Sequence, residues 1–389
     1  MKRSTENILT THTGSLPRSL ELATLLLADD RNDVLDREKL ESSITQAVHE
    51  AVRRQVECGL SVVNDGEQSK ASFSSYRLHR LSGFDYVEAE RAGPTYTYST
   101  MEAREYPGFY AHWLSGGQVR TPTPASPDKV LCCVGPVEWR DFAPVERDLA
   151  NLQAATTDCD AADVFVTAIS PETYAPPNLH YPTDDEYLTA LADAMRREYT
   201  AIIDAGFILQ LDAPDLGNTY RKRDITIDGL LAHMERCVEL INYATASLPA
   251  DRIRVHVCCG ADEAPHHRDI ELSKVVHVLM KLRPNGMTIV GANGRHSHEW
   301  EVWREVRLPD EKIIIPGVID STTNIIEHPL AVAERIQRYA SVLGAENVIA
   351  GVDCGFDTVA DMGQVDPKIA WAKLRSLVEG AAIASERIY

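Results

Sequence analysis

The sequence predicts an α/β protein folded as a (β/α)8 TIM barrel, and three observations carry that prediction. Short β-rich runs alternate with amphipathic helical stretches along the chain. Eight such runs can be counted in order, at 8–12, 60–65, 130–134, 208–212, 253–258, 287–290, 313–319 and 348–353. Their C-terminal ends collect ionisable residues: His12, Asp65 with Glu67, Asp212, His256 with Cys258, and Asp353 with Cys354. That is the face on which barrels of this kind do chemistry. A doubly wound open sheet is the alternative reading of the same alternation.

The elements follow in order. The first run leads into Gly14-Ser15-Leu16-Pro17-Arg18, whose backbone amides could anchor a carboxylate or sulfonate. A helix from about 37 to 57 puts Leu40, Ile44, Val48, Ala51 and Val52 on one face. The second run ends in Asp65-Gly66-Glu67, where the glycine permits a tight turn and Glu67 could meet a substrate ammonium. Residues 88–127, rich in Gly, Pro, Tyr and Thr, break the rhythm and read as an insertion near the barrel mouth or at a subunit contact. The run at 164–169 exceeds the count of eight and is expected to be an accessory strand or part of an insertion.

A capping box from Thr183 to Glu186 opens a helix carrying Leu188, Leu191, Met195, Tyr199 and Ile202. Asp212, in Leu211-Asp212-Ala213-Pro214-Asp215, could share the ammonium with Glu67, although either carboxylate could equally cap a following helix. Pro329 and Pro367 stand where first-turn prolines open helices. With no low-complexity linker and no solenoid-length repeat, residues 1–389 are expected to form one domain.

The totals exclude several classes. A formal charge of -19 argues against a nucleic-acid partner, whose phosphates need a basic surface. No apolar run approaches the roughly 18 residues of a membrane span, and the first residues lack a signal peptide's apolar core. Eight cysteines in a 389-residue chain then read as reduced thiols in the cytoplasm, not as a disulfide frame. No phosphate-binding glycine motif follows a strand, so a nucleotide cofactor is not expected.

His256-Val257-Cys258 and Asp353-Cys354-Gly355 hold the sharpest chemistry. His256 and Cys258 are two apart and so share one face of a strand. With Cys354 they make a soft N/S set suited to zinc, and three ligands leave one position open, as in catalytic sites. Taken alone, each of these residues is more often core packing. Cys58, Cys132, Cys133, Cys159 and Cys237 read as small core residues, and Cys259 should face away from Cys258. His266 and His267 lie in a polar loop and read as solvated; Arg295-His296-Ser297-His298-Glu299 reads as a solvated turn that could also hold metal.

Five motifs in register carry a resemblance over essentially the whole chain. They are Thr11-His12-Thr13-Gly14-Ser15-Leu16-Pro17-Arg18, Asn64-Asp65-Gly66-Glu67-Gln68-Ser69, Gln210-Leu211-Asp212-Ala213-Pro214-Asp215-Leu216, His256-Val257-Cys258 and Asp353-Cys354-Gly355. The chain resembles the catalytic domain of cobalamin-independent methionine synthase, and most of all the short single-barrel members that include epoxyalkane:coenzyme M transferase. The resemblance implies a barrel of the uroporphyrinogen-decarboxylase type with Zn2+ on His256, Cys258 and Cys354. It places a thiol substrate's amino group at Glu67 and Asp212, and its carboxylate at the loop after His12, on Gly14 and Ser15. The implied reaction is alkyl transfer to a zinc-bound thiolate, with homocysteine as the expected thiol because two carboxylates suit an ammonium and repel a sulfonate.

Two departures accompany the resemblance. A glutamate zinc ligand of the synthases aligns with Val290, so the fourth position falls to water, the substrate thiol, or a neighbour such as His296 or Glu299. A histidine of proton transfer falls near Asp320-Ser321, which leaves that role unassigned. The synthases' second, N-terminal barrel has no counterpart in 389 residues, so a free folate donor is less expected, and a corrinoid donor is open beside it. The expected function is therefore a methyltransferase of the methionine-synthase type. Epoxyalkane:coenzyme M transfer, or a metal- or corrinoid-partner barrel without turnover, is the alternative. A homo-oligomer is compatible with this barrel class.

Overall fold

The structure is a computed structural model that describes residues 1–31, 33, 36–92, 100–115 and 129–389. Among these residues seven strands form one parallel sheet, in the order β1 (Val62–Val63), β4 (Asp163–Ile169), β5 (Ile208–Asp212), β6 (Ile253–Val257), β7 (Gly286–Ile289), β8 (Ile313–Ile319) and β9 (Gly351–Val352). The segment around Thr10 joins the two edges. Val62 N donates to Thr10 O at 2.9 Å, while Thr11 N donates to Ala350 O at 2.9 Å and Ala350 N to Leu9 O at 2.8 Å. That segment is the eighth stave, so the sheet closes into the expected (β/α)8 barrel and leaves no free strand edge.

One expected pair of roles is exchanged. The run at 164–169, read as accessory, lies inside β4, which pairs with both β1 and β5. The run at 130–134, read as a barrel stave, falls on β3 (Lys129–Cys133), which pairs antiparallel with β2 (Phe84–Glu88) outside the barrel. Burial separates them: β4 is buried through Ile169, as a stave covered on both faces must be, while β2 and the start of β3 meet solvent. Hydrophobicity of a five-residue run does not carry that distinction.

Helices form where the sequence places them. Asp36 caps helix Arg37–Cys58 by accepting from Lys39 N, and Gly59 at φ 86° ends it in the left-handed conformation that glycine adopts freely. The Thr183 hydroxyl accepts from Glu186 N to open helix Asp184–Asp204, whose Leu188, Leu191, Met195, Tyr199 and Ile202 are all buried against the barrel. Each such side chain contributes about 1.5–3 kcal/mol. Pro329 and Pro367 start helices Pro329–Leu343 and Pro367–Ile388. Of the expected insertion over 88–127, residues 93–99 and 116–128 lie outside the described residues. Its helix Thr100–Glu105 docks on the barrel through Glu102, whose carboxylate pairs with buried Arg221 at 2.9 Å.

Leu9, Ile313, Ile315 and Ile349 form an apolar cluster. On neighbouring strands the register rows are polar: Gln210 pairs with Arg254 in one, and Asp212, His256 and Thr288 align in the next. No helix among the described residues is long and apolar enough to cross a membrane.

Candidate active site

His256 and Cys258 leave the end of β6 on the same side of the strand, and Cys354 follows β9 across the barrel mouth. The fold brings them together: their ligand atoms all lie within 4.8 Å of one another. Cys258 Sγ stands 3.4 Å from Cys354 Sγ and accepts the Gly260 N–H at 3.3 Å. Hydrogen bonding from Cys354 holds the Cys258 thiol well below its usual range, with the charge of His256 adding to it. Burial works against a charged His256 ring, but Cys258 and Asp212 outweigh it and hold the ring up at about 10.

The His256 ring is aimed from behind. Nδ1 lies 3.2 Å from Asp212 Oδ1, whereas Nε2 is buried with no hydrogen-bond partner. A carboxylate on one ring nitrogen and nothing on the other is how a metal-ligating histidine is held. Two thiols and an imidazole whose Nε2 proton a metal ion would displace make a donor set that fits zinc, so the residues present suit a metal ion.

On the substrate side, Asp65-Gly66-Glu67 turns sharply after β1, with Gly66 at φ 67° and Glu67 at φ 55°. Glu67 Oε1 accepts the Thr167 hydroxyl at 3.0 Å, and Oε2 is buried without a partner. Burial, reinforced by the neighbouring Asp212 charge, raises its carboxyl from 4.5 to about 7. Asp212 Oδ1 also accepts from Gln210 Nε2 at 2.8 Å. Both carboxylates can therefore receive a cation at the mouth.

The loop after the first stave stitches the site together. Asn64 Nδ2 donates to Gly14 O, Phe356 N to Ser15 O, and Leu16 N to Gly66 O. Arg18 pairs with Asp357 at 3.0 Å and reaches Glu67 O. Gly14, at φ 138°, passes so close to Glu67 that a Cβ would fall 2.6 Å from Oε1. The Ser15 hydroxyl is buried without a hydrogen bond and lies against Gly355, beside Cys354. His12 is different: Nε2 is paired with Gln55 Oε1 at 2.8 Å and Nδ1 accepts the Gly14 N–H at 3.3 Å. Burial lowers its pKa to about 4, so it is a neutral ring that orients the Gly14 turn and has no free nitrogen for a substrate.

Several residues at the site were not singled out from sequence. Arg254 donates to Gln210 Oε1 at 2.7 Å, to Thr11 and to the His12 carbonyl, under the Asp212–His256 layer. Thr288 pairs with His256 in the ladder and carries a buried hydroxyl without a partner. Parity offered a signal for them, since Arg254 and Gln210 stand two residues before His256 and Asp212. Asp353, already noted in sequence at its strand end, accepts from three successive amides, Gly291, Ala292 and Asn293, at 2.7–2.9 Å. It thereby fixes the β7 loop beside Cys354.

Three expectations change. His266 is buried, with Nδ1 2.7 Å from Asp269 Oδ2, because the loop folds onto Arg221 instead of into water. His296 and Glu299 are also buried, and His296 lies between Glu299 at 2.9 Å and Asp269 at 3.0 Å. Asp269 and His296 group with Cys259, on the face of β6 opposite Cys258, and neither His296 nor Glu299 is among the ligand atoms gathered around His256.

A closed parallel barrel with paired carboxylates and a candidate N/S donor set at its C-terminal mouth is the architecture of a barrel enzyme. A methionine synthase from Saccharolobus islandicus is 23% identical over 384 residues, 97% of this chain and 95% of that protein. A 5-methyltetrahydropteroyltriglutamate–homocysteine methyltransferase from Vibrio harveyi is 23% identical over 358 residues, covering 90% of this chain but 40% of that longer protein. A B12-independent methionine synthase from Shewanella sp., solved in complex with selenomethionine, superposes with a TM-score of 0.69 at 19% identity over 98% of both chains, a likeness of fold. No protein-family model matches the chain. In sequence the chain is similar to proteins named methionine synthase, and its fold is similar to that of a B12-independent methionine synthase.

Proposed function

We propose that residues 1–389 are a single barrel domain acting as a zinc-dependent thiol S-methyltransferase of the methionine-synthase type, with homocysteine as the methyl acceptor. The observation that carries this reading is the convergence of unpartnered His256 Nε2, Cys258 and Cys354 beside two buried carboxylates. His256, Cys258 and Cys354 would hold the metal, which supplies the positive charge that keeps a bound thiol deprotonated at neutral pH.

The remaining work falls to the chain. Glu67 Oε2 and Asp212 receive the substrate ammonium, and the arriving cation draws Glu67 back to its charged form. The Ser15 hydroxyl, free to donate, receives the substrate carboxylate and points the thiol end toward Cys258 and Cys354. The selenomethionine bound to the Shewanella relative supports an amino-acid site in a barrel of this shape. The methyl donor is a small molecule, with folate and corrinoid donors both open. Cytoplasmic operation, with the eight free thiols reduced, completes the proposal, together with a homo-oligomeric assembly.

The alternative thiol is coenzyme M, opening an epoxide. Its sulfonate would meet Glu67 and Asp212, two like charges, without gain. Calorimetric titration of the zinc-loaded protein with each thiol decides the matter. Homocysteine binding with no coenzyme M heat supports the proposal; the reverse overturns it.

A further inference from the structure

A second group of ligand atoms lies outside the barrel mouth just described. His233 and Cys237 stand one turn apart on helix Ile227–Ala244, so both face the same way. Glu172, in the loop after β4, reaches them from the other side. Cys237 Sγ is 3.2 Å from Glu172 Oε2 and 3.6 Å from His233 Nε2, and all three ligand atoms fall within 4.8 Å of one another. Donors held about 2.0–2.3 Å from a tetrahedral ion stand roughly 3.3–3.8 Å apart, so these edges suit one ion.

Asp215, in the loop after β5, adds negative charge beside Cys237 but stands outside this trio of ligand atoms. Its Oδ1 is taken by Ser170 and Thr173, but Oδ2 is buried and accepts no hydrogen bond. Burial raises the Cys237 thiol well above its usual range, and the charges of Asp215 and Glu172 add to that. Cys237 packs in the apolar core, as expected from sequence, yet its sulfur also faces an imidazole and a carboxylate. Arg236 neutralises Glu172 from 2.8 Å, and with a half-exposed side chain it can swing aside.

We propose that Glu172, His233 and Cys237 form a second metal site, distinct from the one at His256, that takes a borderline divalent cation such as zinc. Three protein donors leave the fourth position to water. The site clasps the loop after β4 to the helix beside it, and that loop lines a cavity of about 500 Å³ that includes Thr173, Tyr174 and Asn218. The ion would stiffen that wall and take no part in chemistry at Cys258.

Metal content of the full chain tests this. With zinc supplied, the wild type should hold about two ions, Cys237→Ser and Cys354→Ser about one each, and the double variant none. A wild type holding about one ion that Cys354→Ser abolishes would overturn the proposal, as would full content in a folded Cys237→Ser. Cobalt decides it even where Cys237→Ser does not fold. In the Cys258→Ser/Cys354→Ser protein, added cobalt should give a thiolate charge-transfer band that His233→Gln removes. No such band in that double variant refutes the site.

Discussion

Asp212 Oδ1 stands 3.2 Å from His256 Nδ1 while His256 Nε2, on the far side of the ring, has no hydrogen-bond partner. One carboxylate therefore faces two tasks: it aims the imidazole, and with Glu67 it offers negative charge to a substrate amine. Asp212→Ala should remove both. Metal affinity should fall by about 10–100-fold, read by chelator competition. In Asp212→Asn, which can still accept from the ring, the loss should appear mainly as a raised KM for homocysteine. An unchanged KM in the Asn variant would separate Asp212 from the substrate.

Glu67 sets a pH dependence. Its carboxyl is raised from 4.5 to about 7, chiefly by burial, so the free enzyme carries a neutral Glu67 below that value. A neutral carboxyl attracts an ammonium less, and KM for homocysteine should rise as pH falls through about 7, by up to roughly tenfold per unit. The profile of KM against pH in Glu67→Gln should be flat over the same range.

The same residue predicts a stability trade. A buried acid with a raised pKa destabilises the folded state once pH exceeds its ordinary value, and the penalty grows until the folded pKa is passed. Glu67→Gln should therefore unfold later than wild type at pH 8, by about 1–3 kcal/mol, and match it near pH 4. Denaturant melts at the two pH values check the sign.

Gly14 has no room for a side chain. A Cβ there meets Glu67 Oε1 at 2.6 Å and Thr167 Cγ2 at 2.7 Å, on a backbone at φ 138°. Gly14→Ala should keep its metal and fold at a cost of about 1–3 kcal/mol, but lose substrate binding because Glu67 is pushed from its place. Full homocysteine binding in a folded Gly14→Ala would show that the Gly14–Glu67 contact has no part in recognition.

Much of this arrangement was legible in sequence because strand ends in a barrel have a fixed destination. His256, Cys258 and Cys354 close their ranks for that reason, as do Glu67 and Asp212 at the same rim. Caps at Asp36 and Thr183 are local chemistry and could be read locally. What escaped depends on partners distant in sequence. The apolar run in β3 lies outside the barrel because β2 offered it an antiparallel edge, and nothing within those five residues announces that. His266 and His296 look solvated until Asp269 and Arg221 are folded onto them. His12 sits at a rim position like the others, yet Gln55 and Gly14 engage both its nitrogens.

The central claim is that a thiol amino acid joins His256, Cys258 and Cys354 on one metal ion. X-ray absorption at the zinc edge tests it most directly, using the Cys237→Ser protein so that a single site reports. Without substrate the account predicts about one nitrogen and two sulfurs from the chain; adding homocysteine should bring the sulfur count to about three. A sulfur count that homocysteine leaves unchanged would contradict the account.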